Sequence, residues 1–192
     1  MTTKEVLHGY VREQRQAMLA KLDGVSEADA RRPRTVTGTN LLGVLKHCAL
    51  MELGYLGDCF GRPAGIAYPW DAPGASLDDN LDFYATADES MADVLDLAHR
   101  AFAHADATVG ALDLDARGFV PWWGPEGREV TLDQIIVHLA VDEARHAGHM
   151  DVLREQLDGS VGLRRAGDNL PEQGERWWAD YVARLHEIAD TR

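Results

Sequence analysis

His138, Asp142, His146 and His149 follow one another at intervals of four, four and three residues. An α-helix turns about 100° per residue, so these intervals stack the four side chains into one stripe. Three imidazoles and a carboxylate on one face are costly to bury unless a cation lies against them. Asp142 and His146 have the i, i+4 spacing at which two side chains can hold one metal ion. The plain alternative is a solvated polar face, and the neighbouring residues argue against it. Ile135, Ile136, Val137, Leu139, Val141, Met150, Val152 and Leu153 make the same segment apolar over most of its circumference. A further histidine, His47, sits in Val44-Leu-Lys-His-Cys-Ala-Leu-Met51, where a charge would be expensive. A lone histidine on an apolar helix is usually a neutral core residue with one hydrogen bond. Set against Asp142 and His146, however, it supplies the second nitrogen of a two-nitrogen, one-oxygen set. Such a set leaves a coordination position open for water or substrate, as catalytic metal sites do.

Helices must position these groups. Residues 4–22 form a first helix on Leu7, Val11, Met18 and Leu22, with Gly24 to stop it. After a polar connector, residues 40–60 form a second helix that is apolar nearly all round and therefore central. Residues 61–76 are loop, and their Tyr68-Pro-Trp70 is expected to pack back on the body, with a lid as a secondary candidate role. A short helical turn over 78–85 precedes a long alanine-rich helix over 88–112. Pro121-Trp-Trp-Gly-Pro breaks the chain before Thr131, a good N-cap, opens the fourth long helix, which Gly159 ends. A final helix covers 175–190. No strand is expected, because β-branched residues never alternate over a useful length. The expected fold is all-α: an antiparallel four-helix bundle with an additional C-terminal helix, in one domain over 1–192 (core about 4–160, extension 160–192). Facing helices of such bundles commonly build metal or ligand sites in their interior.

Composition narrows the function. Thirty-two acidic against nineteen basic residues give a net charge of −13 without a basic stripe, which repels a phosphate backbone and excludes nucleic acid. No apolar stretch is long enough to span a bilayer and the start lacks a signal-peptide layout, so no membrane is expected and the expected location is cytoplasmic. Cys48 and Cys59 form neither a disulfide framework nor a zinc knuckle. Cys48 reads as a small core residue, the paired tryptophans as packing anchors, and His8, His99, His104 and His186 as surface residues.

Thr39-Asn-Leu-Leu-Gly-Val-Leu-Lys-His47 with Met51-Glu52, then Thr131-Leu132, His138 through Glu155, and Gly159 with Gly162, resemble the DinB superfamily. The branch concerned holds the mycothiol-dependent transferases and maleylpyruvate isomerase-like proteins. The resemblance runs from the first helix to Gly162 and implies a bundle in which His47, Asp142 and His146 hold one divalent ion. Relatives carry His at position 142, or Glu in the mycothiol-dependent branch. Aspartate is one methylene shorter, so contact needs a closer helix or help from Glu143 or His149. His138 is a candidate for orienting a ligand, and Arg145 and Arg154 for holding a substrate carboxylate. The implied activity is metal-dependent S-transfer, a detoxifying conjugation of mycothiol or a similar low-molecular-weight thiol to a small electrophile, or thiol-dependent isomerisation. Zinc is the first metal, with nickel or iron as alternatives. A non-catalytic stress protein binding metal or a small molecule, and a metal-dependent hydrolase, are the rival functions. The apolar faces allow a homodimer.

Overall fold

The computed structural model of the protein describes residues 1–163 and 167–191. Helix α1 (Thr3–Ala20) opens on a capping box in which the Thr2 hydroxyl accepts from Glu5 N–H and the Glu5 carboxylate accepts from Thr2 N–H. A short α2 (Glu27–Arg31) leads to α3 (Leu41–Leu56), capped by the Asn40 side chain on Gly43 N–H. Ser90 and Asp93 repeat the capping box at the start of α4 (Met91–Ala111). Strands β1 (Arg117–Val120) and β2 (Arg128–Thr131) then precede α5 (Leu132–Asp158) and α6 (Glu175–Asp190). Gly159 ends α5 at φ 74°, a left-handed conformation that suits glycine.

The central helix is α3, which packs against both α4 and α5, while α5 packs against α1. Every residue of α3 is buried except His47 and Met51, as its apolar circumference requires. Both exceptions lie on the face that opens to the site described below. The remaining side of the bundle, between α1 and α4, is closed by polar contacts. Arg15 Nη1 donates to Asp106 Oδ1 at 2.5 Å, and His8 Nε2 lies 2.7 Å from the same oxygen. His8 is therefore not the surface residue expected from the sequence. The Arg15 guanidinium also grips Glu52 of α3 along its Nε/Nη2 edge, Nε to Oε1 at 2.6 Å and Nη2 to Oε2 at 2.5 Å.

Glu143 of α5 joins this network from the other side. Burial first, and then the charge of Glu52, push its carboxyl well above the usual carboxylate range. As a carboxylate neither of its oxygens would find a donor among the described residues. Carrying a proton, it becomes a donor to Glu52 beside it.

The sequence reading and the structure differ in three elements. The expected turn of helix over 78–85 is a single 3-10 turn, Leu77–Asp79, followed by a turn and bends. The break after α4 holds an antiparallel hairpin, β1 with β2 in the register Arg117 to Thr131 and Val120 to Arg128. Its strands are four residues each, with only Val120 and Val130 fully buried, too short for an alternation signal. Thr131 does stand at the N-cap of α5, but its hydroxyl donates to the Asp133 side chain instead of capping the backbone. Among the described residues no helix is long and apolar enough to cross a membrane.

Candidate metal centre

His47 of α3 and Asp142 and His146 of α5 each present one potential ligand atom, all within 4.8 Å of one another. The two imidazole centroids are 4.8 Å apart. This is the one such group among the described residues.

His47 is held in place by its surroundings. Its Nδ1 lies 2.7 Å from Asp82 Oδ2, and Phe83 stacks on its ring at 3.9 Å and 18°. Nδ1 is thereby engaged and Nε2 is the nitrogen left to bind. Burial works to raise the Asp82 pKa, but the hydrogen bond and charge of His47 hold it below the usual range. A carboxylate behind a histidine fixes its tautomer and orientation and raises its basicity as a ligand. The segment carrying Asp82 is clamped to the first two turns of α3. Asn40 Nδ2 donates to Phe83 O at 3.1 Å, and Lys46 Nζ donates to Tyr84 O at 3.1 Å and pairs with Glu89 at 2.7 Å. Gly43 permits this approach, since a Cβ there would sit 1.8 Å from Phe83 O.

On α5, His146 Nε2 and Asp142 Oδ2 are 3.7 Å apart, too far for a hydrogen bond, so the pair does not satisfy itself. His146 Nδ1 is buried without a hydrogen-bond partner among the described residues. Burial, and then the nearness of His47, lower the His146 pKa and favour the neutral imidazole, the form that binds metal. An ion with bonds of about 2.0–2.1 Å spaces tetrahedral ligand atoms about 3.4 Å apart. The observed spacing, up to 4.8 Å, is somewhat wider. An unpartnered histidine nitrogen, a carboxylate and a pre-oriented imidazole fit a divalent ion.

The other sequence candidates fall elsewhere. His138 lies outside the cluster, edge-on to Tyr55 and Trp123 at 4.8 Å from each. Glu143 faces Glu52 and Arg15, so it cannot assist Asp142; consecutive helical residues point about 100° apart. His149 is exposed, with its ring 5.8 Å from that of His146. Arg145 is exposed. Arg154 is committed to structure: its Nη1 donates at 2.9 Å to both Lys21 O and Asp23 O at the end of α1, and its Nε bonds Asp158. Asp82 was not legible as a site residue, being one acid among several in Asp78-Asp79-Asn80-Leu81-Asp82.

A cleft of about 400 Å³ opens beside the cluster, lined by Met51, Gly54, Tyr68, Trp70, Trp122 and Asp82, among others. Tyr68 and Trp70 stack at 4.9 Å, so the loop expected to pack back does so and forms one wall. Trp122 forms another; its indole and that of Trp123 both donate to Tyr55 OH, at 3.0 and 2.8 Å. Gly54 leaves room for that wall, because a Cβ there would lie 3.3 Å from the Trp122 ring.

An α-helical bundle with two histidines and one carboxylate converging from two helices beside an aromatic cleft defines the class: a bundle with an internal ligand site. Residues 6–159 match the family model of mycothiol-S-transferase, and the chain belongs to that family, within the DinB-like superfamily that its motifs resemble. Among solved structures, a conserved protein from Enterococcus faecalis superposes with a TM-score of 0.64 at 14% identity, covering 83% of this chain and 99% of that one. At that identity the likeness speaks for the fold alone. No curated protein matches the sequence.

Proposed function

We propose that the protein is a divalent-metal-dependent S-transferase that joins mycothiol, or a similar low-molecular-weight thiol, to a small electrophile. The observation that carries this is the cluster of His47, Asp142 and His146 beside an aromatic cleft, in a chain of the mycothiol-S-transferase family. Zinc is the first candidate for the ion, with nickel and iron behind it. A divalent ion held there supplies the positive charge that makes thiolate the preferred form at neutral pH. The chain's own residues do the rest. Asp82 keeps His47 in one tautomer, and burial keeps His146 neutral. Tyr68, Trp70 and Trp122 offer flat apolar faces to an electrophile. Cys48 does not compete as a nucleophile, since burial pushes its thiol well above the ordinary value.

The test is to titrate metal-loaded protein with mycothiol in buffers of different ionisation enthalpy. Binding is expected to release about one proton at pH 7, because the thiol binds as its anion. Consumption of a chlorinated nitrobenzene or a bimane should then require the thiol. If no thiol binds at millimolar concentration and neither electrophile is consumed, the proposal fails. Ester cleavage without thiol would point to the hydrolase instead.

A second expectation concerns Asp82. Asp82→Ala should weaken divalent-ion binding by about 10- to 100-fold although the residue touches no ion, since it orients and polarises His47. Asp82→Asn, which can still accept from Nδ1–H, should fall between. Competition with a chelating dye measures both, and unchanged affinity in Asp82→Ala would remove Asp82 from the site.

A further inference from the structure

Two further cavities lie near the cluster, lined by the loop that leads into α3. A cavity of about 470 Å³ is lined by Arg34, Thr35, Thr37, Thr39, His149 and Gln156, among others. A neighbouring one of about 330 Å³ shares Thr37 and Thr39 and reaches Phe83, the ring stacked on His47. His149 borders the first cavity and lies ring to ring with His146 at 5.8 Å. The first cavity is therefore lined by α5 on one side and by the loop that leads into α3 on the other.

Charge separates this cavity from the aromatic cleft. The cleft has Asp58 and Asp82 in its lining, whereas the threonine cavity has an arginine and no carboxylate, in a chain of net charge −13. Arg34 Nε is buried and has no hydrogen-bond partner among the described residues. Its Nη2 is ion-paired with Asp29 Oδ1 at a long 3.3 Å, so Nε is the donor left open. An unpaired buried donor is unfavourable until an acceptor reaches it.

The threonines add a donor. Thr35 Oγ1 accepts from Thr39 N–H at 3.0 Å and lies 3.1 Å from Thr37 Oγ1, which lies 3.5 Å from Thr39 Oγ1. Three hydroxyl protons serve two mutual bonds, leaving one for an outside acceptor. The loop also sits just before the N-terminus of α3, whose dipole favours negative charge.

We infer that this cavity is an anion subsite that takes a carboxylate of the electrophile. The word electrophile rests on the transferase proposal; anion binding does not. One guanidinium with a hydroxyl donor matches a carboxylate, and no lysine or second arginine lines the cavity for a phosphate dianion. The role considered for Arg145 and Arg154 from the sequence passes to Arg34.

The experiment follows the Arg34 Nε–Hε and Thr35–Thr39 amide resonances by ¹⁵N NMR, with succinate, succinamide and inorganic phosphate as probes, on metal-loaded and metal-stripped protein. Succinate is expected to shift these resonances at millimolar concentration in both forms, and succinamide is not. Arg34→Gln should weaken succinate binding at least tenfold, and Thr37→Val about threefold, with metal content unchanged in both. If the shifts centre on His47 and vanish with the metal, the carboxylate binds at the ion and the inference is overturned. Equal shifts from succinamide overturn the role of charge, and tighter binding of phosphate overturns the carboxylate assignment. Intact succinate binding without any S-transfer would sink the transferase proposal alone.

Discussion

Replacing His47 by alanine is expected to weaken divalent-ion binding by more than about a hundredfold, a loss of about 2.7 kcal/mol or more. The cluster has three ligand atoms from the chain, so removing one takes away a third of the protein's hold. It also removes the only one supplied by α3; Asp142 and His146, one turn apart on α5, cannot enclose an ion alone. The loss should exceed that of Asp82→Ala, which acts through His47. Folding should survive. His47 is only partly buried, and its loss leaves the Asp82 carboxylate without its main partner, a cost of about 1–3 kcal/mol against a stability of about 5–15 kcal/mol. His138→Ala is the control, because His138 packs on Tyr55 and Trp123 and should leave ion affinity unchanged. Equilibrium competition with a chelator reads the affinity, and circular dichroism reads the fold. A His47→Ala protein that binds zinc, nickel and iron as tightly as the parent would make His47 a core histidine and no ligand.

The three clustered groups were legible in the sequence because helical periodicity is a local rule. The i, i+4 spacing of Asp142 and His146 places both on one face whatever the rest of the chain does. A histidine in an otherwise apolar helix marks a position where the core tolerates polarity for a reason. Asp82 was not legible, because its role depends on how a loop without periodicity lies across α3, and that is set by the missing side chain of Gly43 and by Asn40 and Lys46. The buried ion network left a fainter trace. Arg15 stands in the apolar stripe between Val11 and Met18, and Glu52 is the only acid in α3. Either breaks its pattern in the way His47 does, but their pairing joins residues 37 positions apart. The hairpin escaped for want of length.

The second large effect is on stability and comes from that network. Glu52→Ala is expected to destabilise the bundle by about 3–5 kcal/mol, because it leaves a buried guanidinium with only the partly exposed Asp106 as its partner instead of removing a balanced pair. Arg15 is 4% and Glu52 0% exposed, so water cannot replace the lost partner. Burial alone would lower the Arg15 pKa; Glu52 and then Asp106 together outweigh this and keep the guanidinium charged. Arg15→Met should cost a similar amount, by leaving Glu52 facing Glu143. The double variant Arg15→Met/Glu52→Leu should lose much less than the sum, since paired replacement of a buried ion pair by apolar groups is often near neutral. Glu143→Gln supplies the sharpest contrast. If Glu143 already carries a proton, the neutral amide keeps its shape and its donor, and the change should cost under about 1 kcal/mol. Urea denaturation at pH 7 measures all four. A large loss in Glu143→Gln would show that the wild-type group is ionised, and a loss below about 1 kcal/mol in Glu52→Ala would show that the bundle does not depend on the network. The result bears on the metal centre, because Glu143 adjoins Asp142 and Glu52 lies little more than one turn from His47. Through Glu143 beside Glu52, the network reaches from α3 to α5 next to their ligand-bearing faces.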